Sequence, residues 1–594
     1  MERSIPQAQQ PQSADDRESR RRWPQVGGVW WGLGIALLCM FVYYAFQPNH
    51  SNQYIHFVLQ AQSWLEGHTS IPLPGYQDVQ PILDQSGNET GQGIIPFPPL
   101  PAWVLLPFVA IWHVSTNQQL LSAVFGAIDV ALAYWMLGFL PVSPQIRRLT
   151  ALFLGLGTVL WYTSAIGTTW FWAHIVAVFC LLISVGLALS ADREATELQP
   201  IKNAASGVRH FEWPGGWRSV ALIVAGGVTA ELMFVLAGSG SAASVLAAVG
   251  VLLGLLAASL AVVVAGRPGA LTPFVLAVAV VGGLPALLIA GSSSKELIGL
   301  IDAALAALIV GLWWFGRRGG GKLDRALTAA WSALSSPEVR QIAAGIFFGL
   351  AVTARLTVLF GLPFFILVGG GGNWMRRAML AGAGAAVPIA ALLVVTYATT
   401  GHLFNPAYDY LYHLELGYTS FGYNPAWSVS DIRYIPQNIA TMLFGLPRIM
   451  PDFYSVFPGT GGDPLCVTTT TRGLFDRACP IAEPNAVGTS IFLTSPAFFA
   501  AFVAWRPLRG LRVDRATAGA TIAVVAIATA NLAHFSQGWV QFGYRFSNDF
   551  VPFALILVAL GASRLGRLWP FIVLVGLSIL VNIWGTYWGI SLGW

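Results

Sequence analysis

Residues 29–46 read VWWGLGIALLCMFVYYAF, and they follow closely on the basic residues Arg20, Arg21 and Arg22. As a helix rising about 1.5 Å per residue, this apolar stretch is roughly 27 Å long, close to the ~30 Å hydrocarbon core of a bilayer. Basic residues collect on the cytoplasmic side of a span, and no small-residue cleavage site follows this one. The stretch therefore predicts a retained first membrane helix behind a disordered cytoplasmic tail at residues 1–27.

The whole chain has the same apolar character. Of its 594 residues, 55% are hydrophobic and only 10% are charged, whereas a soluble globular protein has roughly 25% charged residues. The short alternating segments of a transmembrane barrel are missing, and basic cytoplasmic loops account for the net charge of +5 without a nucleic-acid partner. We expect an all-α polytopic membrane protein, a bundle of about 15 transmembrane helices with two large external loops.

The distribution of Lys and Arg predicts the order of parts. Residues 49–98 contain neither residue type, so we expect them to form external loop 1 within an N-terminal module at residues 28–190. Residues 191–339 have basic clusters at both ends and apolar runs between them, which predicts an inserted four-helix membrane segment with cytoplasmic flanks. Residues 340–594 then form a C-terminal membrane module with a second external region at residues 401–490.

Two apolar stretches do not fit a single simple span. Residues 100–112 give a helix of roughly 20 Å, which is too short, so we expect an external or re-entrant helix there. Residues 342–368 are longer than one span needs, are split by Arg355, and have further arginines at both ends. A tight hairpin with Arg355 at its outer tip satisfies both observations.

Two arginines are candidates for binding a phosphate group. An arginine at the end of a membrane span is costly unless it meets an anion or water, and a guanidinium binds phosphate through two parallel hydrogen bonds. Arg355 and Arg545 therefore predict contact with the headgroup of a polyprenyl-phosphate lipid. The alternatives are snorkelling interfacial side chains or an ion pair, for which Asp549, four residues after Arg545, is the obvious partner.

External loop 1 offers a candidate general base. Its carboxylates are Glu66, Asp78, Asp84 and Glu89, and the loop has no basic residue to lower their basicity. One of them could take the proton of an acceptor hydroxyl. A solvated loop acid is the alternative for each.

Trp170 and His174 lie at the outer end of one predicted span. His174 could shuttle a proton or bond a sugar hydroxyl, and Trp170 could stack on a sugar ring, but a structural histidine and an interfacial aromatic belt are the ordinary alternatives. Asp129 and Glu231 fall within other apolar runs, where a buried carboxylate suggests a proton relay. Two isolated acids on different spans give little support to a proton relay.

Cysteine placement agrees with this topology. Cys39 and Cys180 fall in apolar spans, while Cys466 and Cys479 fall in the second external region, where they could form a disulfide or remain thiols. The sequence has no Walker loop, dinucleotide glycine fingerprint, CxxC or HExxH motif, so a nucleotide-driven pump and a zinc protease have no support. No cofactor is implied, and a divalent metal is possible but has no motif behind it.

The order of these parts resembles the GT-C superfamily of membrane glycosyltransferases. The resemblance rests on three short motifs: PFPPLPAW at residues 96–103, GIFFGLAVTARLT at residues 345–357 and QFGYRF at residues 541–546. Within the superfamily the chain is most similar to the bacterial relatives of protein O-mannosyltransferases and aminoarabinose transferases, the family 39 type. The similarity covers about residues 25–190 and 340–590.

The resemblance implies a transferase that takes a sugar from a polyprenyl-phosphate donor at the external face of the plasma membrane. The sugar would pass, with inversion, to a hydroxyl of an acceptor glycan, lipid or protein. Asp78 would then be the catalytic base. The other candidates would share its site: the lipid-phosphate ligands Arg355 and Arg545, and the substrate-pocket residues His174, Trp170 and Asp549.

Two other functions stay open. A carrier or flippase for a lipid-linked sugar would be expected to have repeated halves, and the sequence contains no internal repeat. A non-catalytic membrane scaffold is favoured by residues 49–53, NHSNQ, which follow the first span where family members commonly carry an acidic pair.

Overall fold

A computed structural model gives the fold of this chain. It describes residues 26–47, 54–75, 78–192, 194–200, 336–408, 424, 426–427, 429–449, 472–507, 512–538 and 540–593. The predicted N-terminal tail and nearly all of the predicted four-helix insertion, with Glu231 in it, lie outside the described residues.

The described part is mostly helical. Its α-helices in chain order are α1 (Val26–Ala45), α2 (His56–Leu65), α3 (Leu100–Trp112), α4 (Gln118–Leu137), α5 (Pro144–Gly157), α6 (Leu160–Ile166), α7 (Thr169–Ala191), α8 (Pro337–Val352), α9 (Pro363–Leu367), α10 (Trp374–Thr400), α11 (Ile435–Phe444), α12 (Ile491–Thr494), α13 (Ala500–Val503), α14 (Arg515–Leu532), α15 (Val551–Ser563) and α16 (Trp569–Ser591). The 3-10 helices are His113–Ser115, Leu356–Gly361, Ile432–Tyr434, Pro496–Phe499 and Arg545–Asp549.

Short strands correct the expectation of an all-α chain. They are β1 (Ile71–Pro72), β2 (Gln80–Leu83), β3 (Glu89–Ile94), β4 (Gln199–Pro200), β5 (Arg448–Ile449), β6 (Ala482–Glu483) and β7 (Arg512–Val513). β3 lies between β1 and β2 in an antiparallel sheet, while β4 pairs with β7 and β5 pairs with β6. The sheets are small, so the helices still define the architecture.

Among the described residues, five helices are long and apolar enough to cross a membrane: α4, α7, α10, α14 and α16. Helices α5 and α6 make a sixth span if they are counted together across a bend of 48°. The chain is therefore a multi-pass helical membrane protein. The predicted total of about 15 spans is not reached in this part of the chain, where α3 and α15 are shorter apolar helices.

External loop 1 has a fold of its own, which the sequence pattern does not predict. Helix α2 packs on α3, and the side chains of Phe57 and Val79 are buried beside the three-stranded sheet. The loop is joined to the first turn of α7, because the backbone N–H of Thr169 donates to the carbonyl of Tyr54 at 3.0 Å. This junction brings the loop to the end of a membrane helix.

The chain reverses direction at Arg355. Helix α8 ends at Val352, and the segment through α9 returns along it, so that Gln341 Nε2 of α8 donates to the carbonyl of Phe365 at 3.1 Å. This is the geometry that the hairpin interpretation of residues 342–368 expects, with Arg355 at the tip.

Close packing of small residues holds this hairpin against α10. Gly345 and Gly349 lie one turn apart on α8, and a Cβ atom at either position would collide with the backbone of Ala381 or Ala385 on α10. Small residues four positions apart let membrane helices approach to backbone contact. The approach fixes the height of the hairpin tip in the bundle.

The two ends of the bundle differ in charge. One end has three ion pairs, which are Asp192–Arg515 at 2.9 Å, Asp514–Arg564 at 2.9 Å and Glu338–Arg376 at 3.5 Å. These residues lie where α8, α10 and α14 begin and where α7 and α15 end. The opposite ends of α7, α8, α14 and α15 converge on Arg355 and Asp549, so the candidate site lies at the end of the bundle away from these ion pairs.

Candidate functional site

Asp549 is the centre of a buried polar network. Its side chain is fully buried, and it accepts hydrogen bonds from Arg355 Nε at 3.3 Å and Nη2 at 3.2 Å. Thr357 Oγ1 donates to it at 3.0 Å and Asn531 Nδ2 at 3.2 Å. These donors are far apart in the sequence, so one carboxylate joins the hairpin tip to the end of α14.

The donors fix the charge of Asp549. Burial by itself would raise the pKa of this carboxyl group, but the Arg355 guanidinium and the His174 imidazole hold the pKa of Asp549 well below its ordinary value. Asp549 is therefore ionised at neutral pH. Because both of its oxygens accept from protein donors, it acts as an anchor for Arg355 and His174.

His174 reaches Asp549 from α7. Its Nδ1 lies 2.8 Å from Asp549 Oδ1, and the side chain is 1% exposed. A carboxylate can only accept a hydrogen bond, so Nδ1 carries the proton and Nε2 of a neutral ring has the lone pair. Nε2 is buried and makes no hydrogen bond within the described part of the chain.

The ring of Phe546 brings both predicted arginines together. The guanidinium carbon of Arg355 lies 5.2 Å from the ring centroid, and that of Arg545 lies 5.5 Å from it. The His174 ring is 5.7 Å from the same ring. The negative face of an aromatic ring attracts cations within about 6 Å, so two guanidinium groups and one imidazole surround a single side chain.

Arg545 is buried, and its surroundings leave little room around the guanidinium. Its backbone N–H donates to Gln541 Oε1 at 3.2 Å, and its guanidinium carbon lies 5.2 Å from the ring centroid of Phe171. Gly538 has φ +114, and a Cβ atom there would lie 3.1 Å from Arg545 Cζ. A glycine is therefore needed at residue 538 both for its backbone and to leave room for the guanidinium.

His534 also lies beside Phe546, with ring centroids 6.4 Å apart. Burial lowers the pKa of His534 to about 4; its hydrogen bond with Ser536 opposes this shift, and the two arginines add to it. His534 is therefore neutral at pH 7. The charges around Phe546 are then two guanidinium groups and one carboxylate, an excess of positive charge that suits an anionic ligand.

Asp78 reaches α7 from external loop 1. Trp170 Nε1 donates to Asp78 Oδ2 at 2.8 Å, and Asp78 is only 9% exposed. Its φ of +70 lies in the left-handed region, which Asp adopts more readily than most residues. Trp170 and His174 are four positions apart on α7, so they share one helix face at about 5–6 Å between Cβ atoms. Asp78 is thus attached one helical turn from the Asp549 network.

His56 and Thr169 complete the junction between loop and helix. The Thr169 hydroxyl donates to the carbonyl of Tyr54 and accepts the backbone N–H of His56 at 3.2 Å. His56 Nδ1 lies 2.9 Å from the same hydroxyl oxygen, and it is the donor because the hydroxyl proton is already used. The His56 ring also lies 6.0 Å from that of Trp170.

The sequence analysis missed four polar residues of this region. These residues are His56, Thr169, Thr357 and Asn531. The last three lie beside a predicted span end or a candidate residue, which was their one signal, and His56 had no such signal. Hydrogen bonds between such distant segments have no local sequence pattern, so the chemistry of each residue alone did not distinguish it.

One pairing suggested by the sequence is not the one that forms. Asp549 was offered as the ion-pair partner of Arg545, but it pairs with Arg355. The segment Arg545–Asp549 is a 3-10 helix, in which residues four apart do not face the same side. All the same, Asp78, Trp170, His174, Arg355, Arg545 and Asp549 come to one end of the bundle.

Two further expectations concern cysteines and metals. Cys479 is buried and disulfide-bonded, its expected partner Cys466 lies outside the described residues, and Cys39 and Cys180 are free. Within the ranges that the structure describes, no group of three His, Cys, Asp or Glu side chains is placed to hold a metal ion.

Fold and site together define a class of protein. The chain is a multi-pass helical membrane protein with a buried network of arginine, histidine and aspartate at one end of its bundle. The network is polar, positively charged and connected to a folded loop that brings in a second carboxylate.

Comparison with known proteins gives weak structural likenesses. No protein-family model and no curated protein matches the chain. The chain is similar to the oligosaccharyltransferase AglB of Archaeoglobus fulgidus, solved with an inhibitory peptide and a dolichol-phosphate, at 12% identity and a TM-score of 0.33, covering 95% of this chain and 56% of that one. A structure of the Archaeoglobus fulgidus oligosaccharyltransferase tethered to an acceptor peptide gives 11% identity, a TM-score of 0.33, and coverage of 95% and 55%.

The chain spans about half the length of these solved structures. Because a TM-score of 0.33 is low, the function proposed below depends on the residues of the site.

Proposed function

We propose that this chain is a membrane glycosyltransferase. It moves a sugar from a polyprenyl-phosphate donor to a hydroxyl of an acceptor glycan, lipid or protein, with inversion, at the external face of the plasma membrane. The observation that carries the proposal is the placement of two guanidinium groups around Phe546, one helical turn from the carboxylate held by Trp170.

Arg355 and Arg545 are proposed to hold the phosphate of the lipid. A guanidinium has five N–H donors, so Arg355 can hold the Asp549 carboxylate and bind a phosphate as well. Arg355 is about one-fifth exposed, and the guanidinium groups of both arginines lie within 5.5 Å of the centroid of the same Phe546 ring. A phosphate bound between them would neutralise two positive charges at the end of a membrane helix.

Asp78 is proposed to be the base that takes the proton of the acceptor hydroxyl. Its carboxylate is held by the indole of Trp170 and by a strained backbone, so its position is fixed before a substrate binds. A fixed carboxylate contributes to catalysis when the hydroxyl lies within hydrogen-bond reach.

The proposed external location is supported by the position of the ion-paired arginines. The ion-paired arginines Arg376, Arg515 and Arg564 lie at the end opposite to the proposed site. Basic residues favour the cytoplasmic side of a membrane, which favours an external site. A lipid-linked sugar presents its phosphate at the same depth, where the hydrocarbon meets water.

The test is a transfer assay with the full chain in proteoliposomes and a series of polyprenyl-phosphate sugars carrying a radiolabel. Wild type should form a labelled acceptor product. Arg545→Ala should raise the donor KM about 10- to 100-fold, the size of one or two charge-assisted hydrogen bonds. Asp78→Asn should leave donor binding in place and lower kcat about 100-fold or more.

The matched control is Arg433→Ala, which removes an exposed arginine whose partner is a neighbouring surface carboxylate. Its donor KM and kcat should equal those of wild type. Movement of the labelled lipid across the bilayer without a new glycosidic bond would overturn the proposal in favour of a flippase. Donor binding with no turnover on any acceptor would overturn it in favour of a scaffold.

A further inference from the structure

We propose that His174 is a further catalytic residue, acting on the donor side of the reaction. Its Nε2 takes up a proton when a phosphodiester binds between Arg355 and Arg545, and it then gives that proton to the leaving phosphate. This inference rests on the proposed function, and it separates the site into a leaving-group half around His174 and an attacking half around Asp78.

The first step of the argument is the tautomer. Nδ1 of His174 donates to Asp549 Oδ1 at 2.8 Å, so Nε2 is the ring nitrogen that is left without a proton. Nε2 is on a side chain that is 1% exposed, and it has no hydrogen-bond partner in the described part of the chain. A buried acceptor without a partner is costly. Nε2 is therefore placed to accept a proton or a hydrogen bond from a ligand.

The second step is the set of charges around the imidazole. The Asp549 carboxylate lies 2.8 Å from Nδ1 and favours a positive charge on the ring, while the buried setting and the two guanidinium groups beside the neighbouring Phe546 ring oppose one. A phosphate placed between the guanidinium groups adds a second negative charge to this balance. The bound anion therefore favours the imidazolium, and ligand binding and proton uptake at Nε2 become linked.

Other groups near His174 do not supply that charge. The charged and titratable groups of the elements packed around it are these: Asp549 and Arg545 from the 3-10 helix, Tyr544 just before it, Arg355 from the tip after α8, Glu338 and Arg340 at the start of α8, Tyr162 from α6, His534 after α14, and Tyr134 and Asp129 from α4. His534 is neutral at pH 7, and tyrosine phenols, which ordinarily lose their proton at about pH 10, are neutral there as well. Glu338 and Arg340 lie at the far end of α8, and Asp129 interacts with Cys180, further along α7. Helix α15 has no titratable residue before Arg564, at its far end.

The third step is that Asp549 cannot replace His174 in this role. Its two oxygens accept five hydrogen bonds, which come from Arg355 (two), His174, Thr357 and Asn531. A carboxylate in this state has no proton to give. Asp549 instead orients the imidazole and stabilises its positive form, the arrangement that a paired acid and histidine use in general acid catalysis.

The proposed step balances as follows. The oxygen of the acceptor hydroxyl forms a bond to the anomeric carbon, and its proton passes to the Asp78 carboxylate. The bond from the anomeric carbon to the phosphate oxygen breaks, and its electron pair stays on that oxygen. The proton on His174 Nε2 moves to this oxygen, which leaves a neutral imidazole and a singly protonated polyprenyl phosphate.

The experiment is isothermal titration calorimetry of the full chain in detergent with the methyl ester of polyprenyl phosphate. This phosphodiester does not titrate near neutral pH, so proton uptake on binding must come from the protein. Titrations at pH 7.5 in buffers of different ionisation enthalpy give the number of protons taken up. Wild type should take up a measurable fraction of a proton, at most one per ligand, because one anion favours one imidazolium.

His174→Asn is the decisive variant, since the Asn amide can donate to Asp549 in place of Nδ1 but has no second ring nitrogen. It should bind the diester more weakly and take up no proton. His534→Gln, at the other buried histidine beside Phe546, is the matched control and should take up as much as wild type. If His174→Asn does not fold, the number of protons taken up by wild type and by His534→Gln still tests the proposal. No uptake by wild type, or loss of uptake in His534→Gln, would overturn it.

The outcomes separate the two proposals. Binding of the diester without proton uptake, or uptake that His174→Asn retains, would overturn the role of His174 and leave the phosphate site intact. No binding of the diester by wild type would overturn the proposed function itself. Binding with uptake that only His174→Asn abolishes would support both.

Discussion

Substitution of Asp549 by Asn tests the network that holds the site together. The amide has the shape of the carboxylate but no charge. Its NH2 group would stand opposite hydrogen-bond donors from which a carboxylate oxygen accepts in wild type. A hydrogen bond to a charged group contributes about 1.5–3 kcal/mol, and breaking a buried ion pair costs about 3–5 kcal/mol. Arg355 is one-fifth exposed, so we take the lower end and expect Asp549→Asn to lower the free energy of unfolding by about 3 kcal/mol.

The assay is denaturant unfolding of purified wild type and Asp549→Asn in the same detergent, followed by tryptophan fluorescence. Asp431→Asn is the control, because Asp431 pairs with an exposed arginine on the surface and the change should leave the transition midpoint where it is. Equal midpoints for wild type and Asp549→Asn would refute the reasoning, since the carboxylate would then not anchor Arg355 and His174.

Three further predictions concern the neighbours of this network. Gly538→Ala should raise the donor KM about tenfold, because φ +114 strains an alanine and its Cβ would lie 3.1 Å from Arg545 Cζ. Lowering the pH from 7 to 4.5 should destabilise the fold, because the pKa of His534 falls from its ordinary 6.5 to about 4 on folding. The unfolded chain then binds the proton first, so His534→Gln should flatten this pH dependence of the unfolding midpoint. Trp170→Phe keeps the ring but removes the donor to Asp78, and it should lower kcat about tenfold with the fold intact.

Each of these predictions has a control or a contradicting result. Gly566→Ala also adds a Cβ atom at a positive φ, +78, but this Cβ would meet nothing within 4 Å, so the donor KM should stay at the wild-type value. An unfolding midpoint of wild type that is flat between pH 7 and 4.5 would contradict a neutral, buried His534. Unchanged kcat in Trp170→Phe would mean that the indole hydrogen bond does not fix Asp78.

The sequence predicts the membrane character and the position of the hairpin tip for simple physical reasons. Span length and the placement of arginines are local properties, so Arg355 at the tip could be derived from residues 342–368 and the basic residues around them. The folded state of external loop 1 could not be derived in this way. Its sheet pairs Ile71 with Gly93 across a long connection, and strands of two to six residues give little local signal.

The candidate site was predicted residue by residue, and its connections were not. Asp78 and Trp170 were singled out separately, yet the hydrogen bond between them spans 92 positions of the chain. The partner of Asp549 was misplaced for a similar reason, because the sequence analysis assumed a helical spacing in a segment that is 3-10. Long-range hydrogen bonds depend on the fold, so the sequence indicates the chemistry of the candidate residues but not which of them are hydrogen-bonded to one another.

The most direct test of the phosphate site is native mass spectrometry of the full chain, purified in mild detergent from cells that make polyprenyl-phosphate sugars. The account predicts a bound species with the mass of a sugar-linked or free polyprenyl phosphate on wild type, and much less of it on Arg545→Ala. Wild type without such a lipid, or an equal amount on both proteins, would contradict the claim that these arginines hold a lipid phosphate.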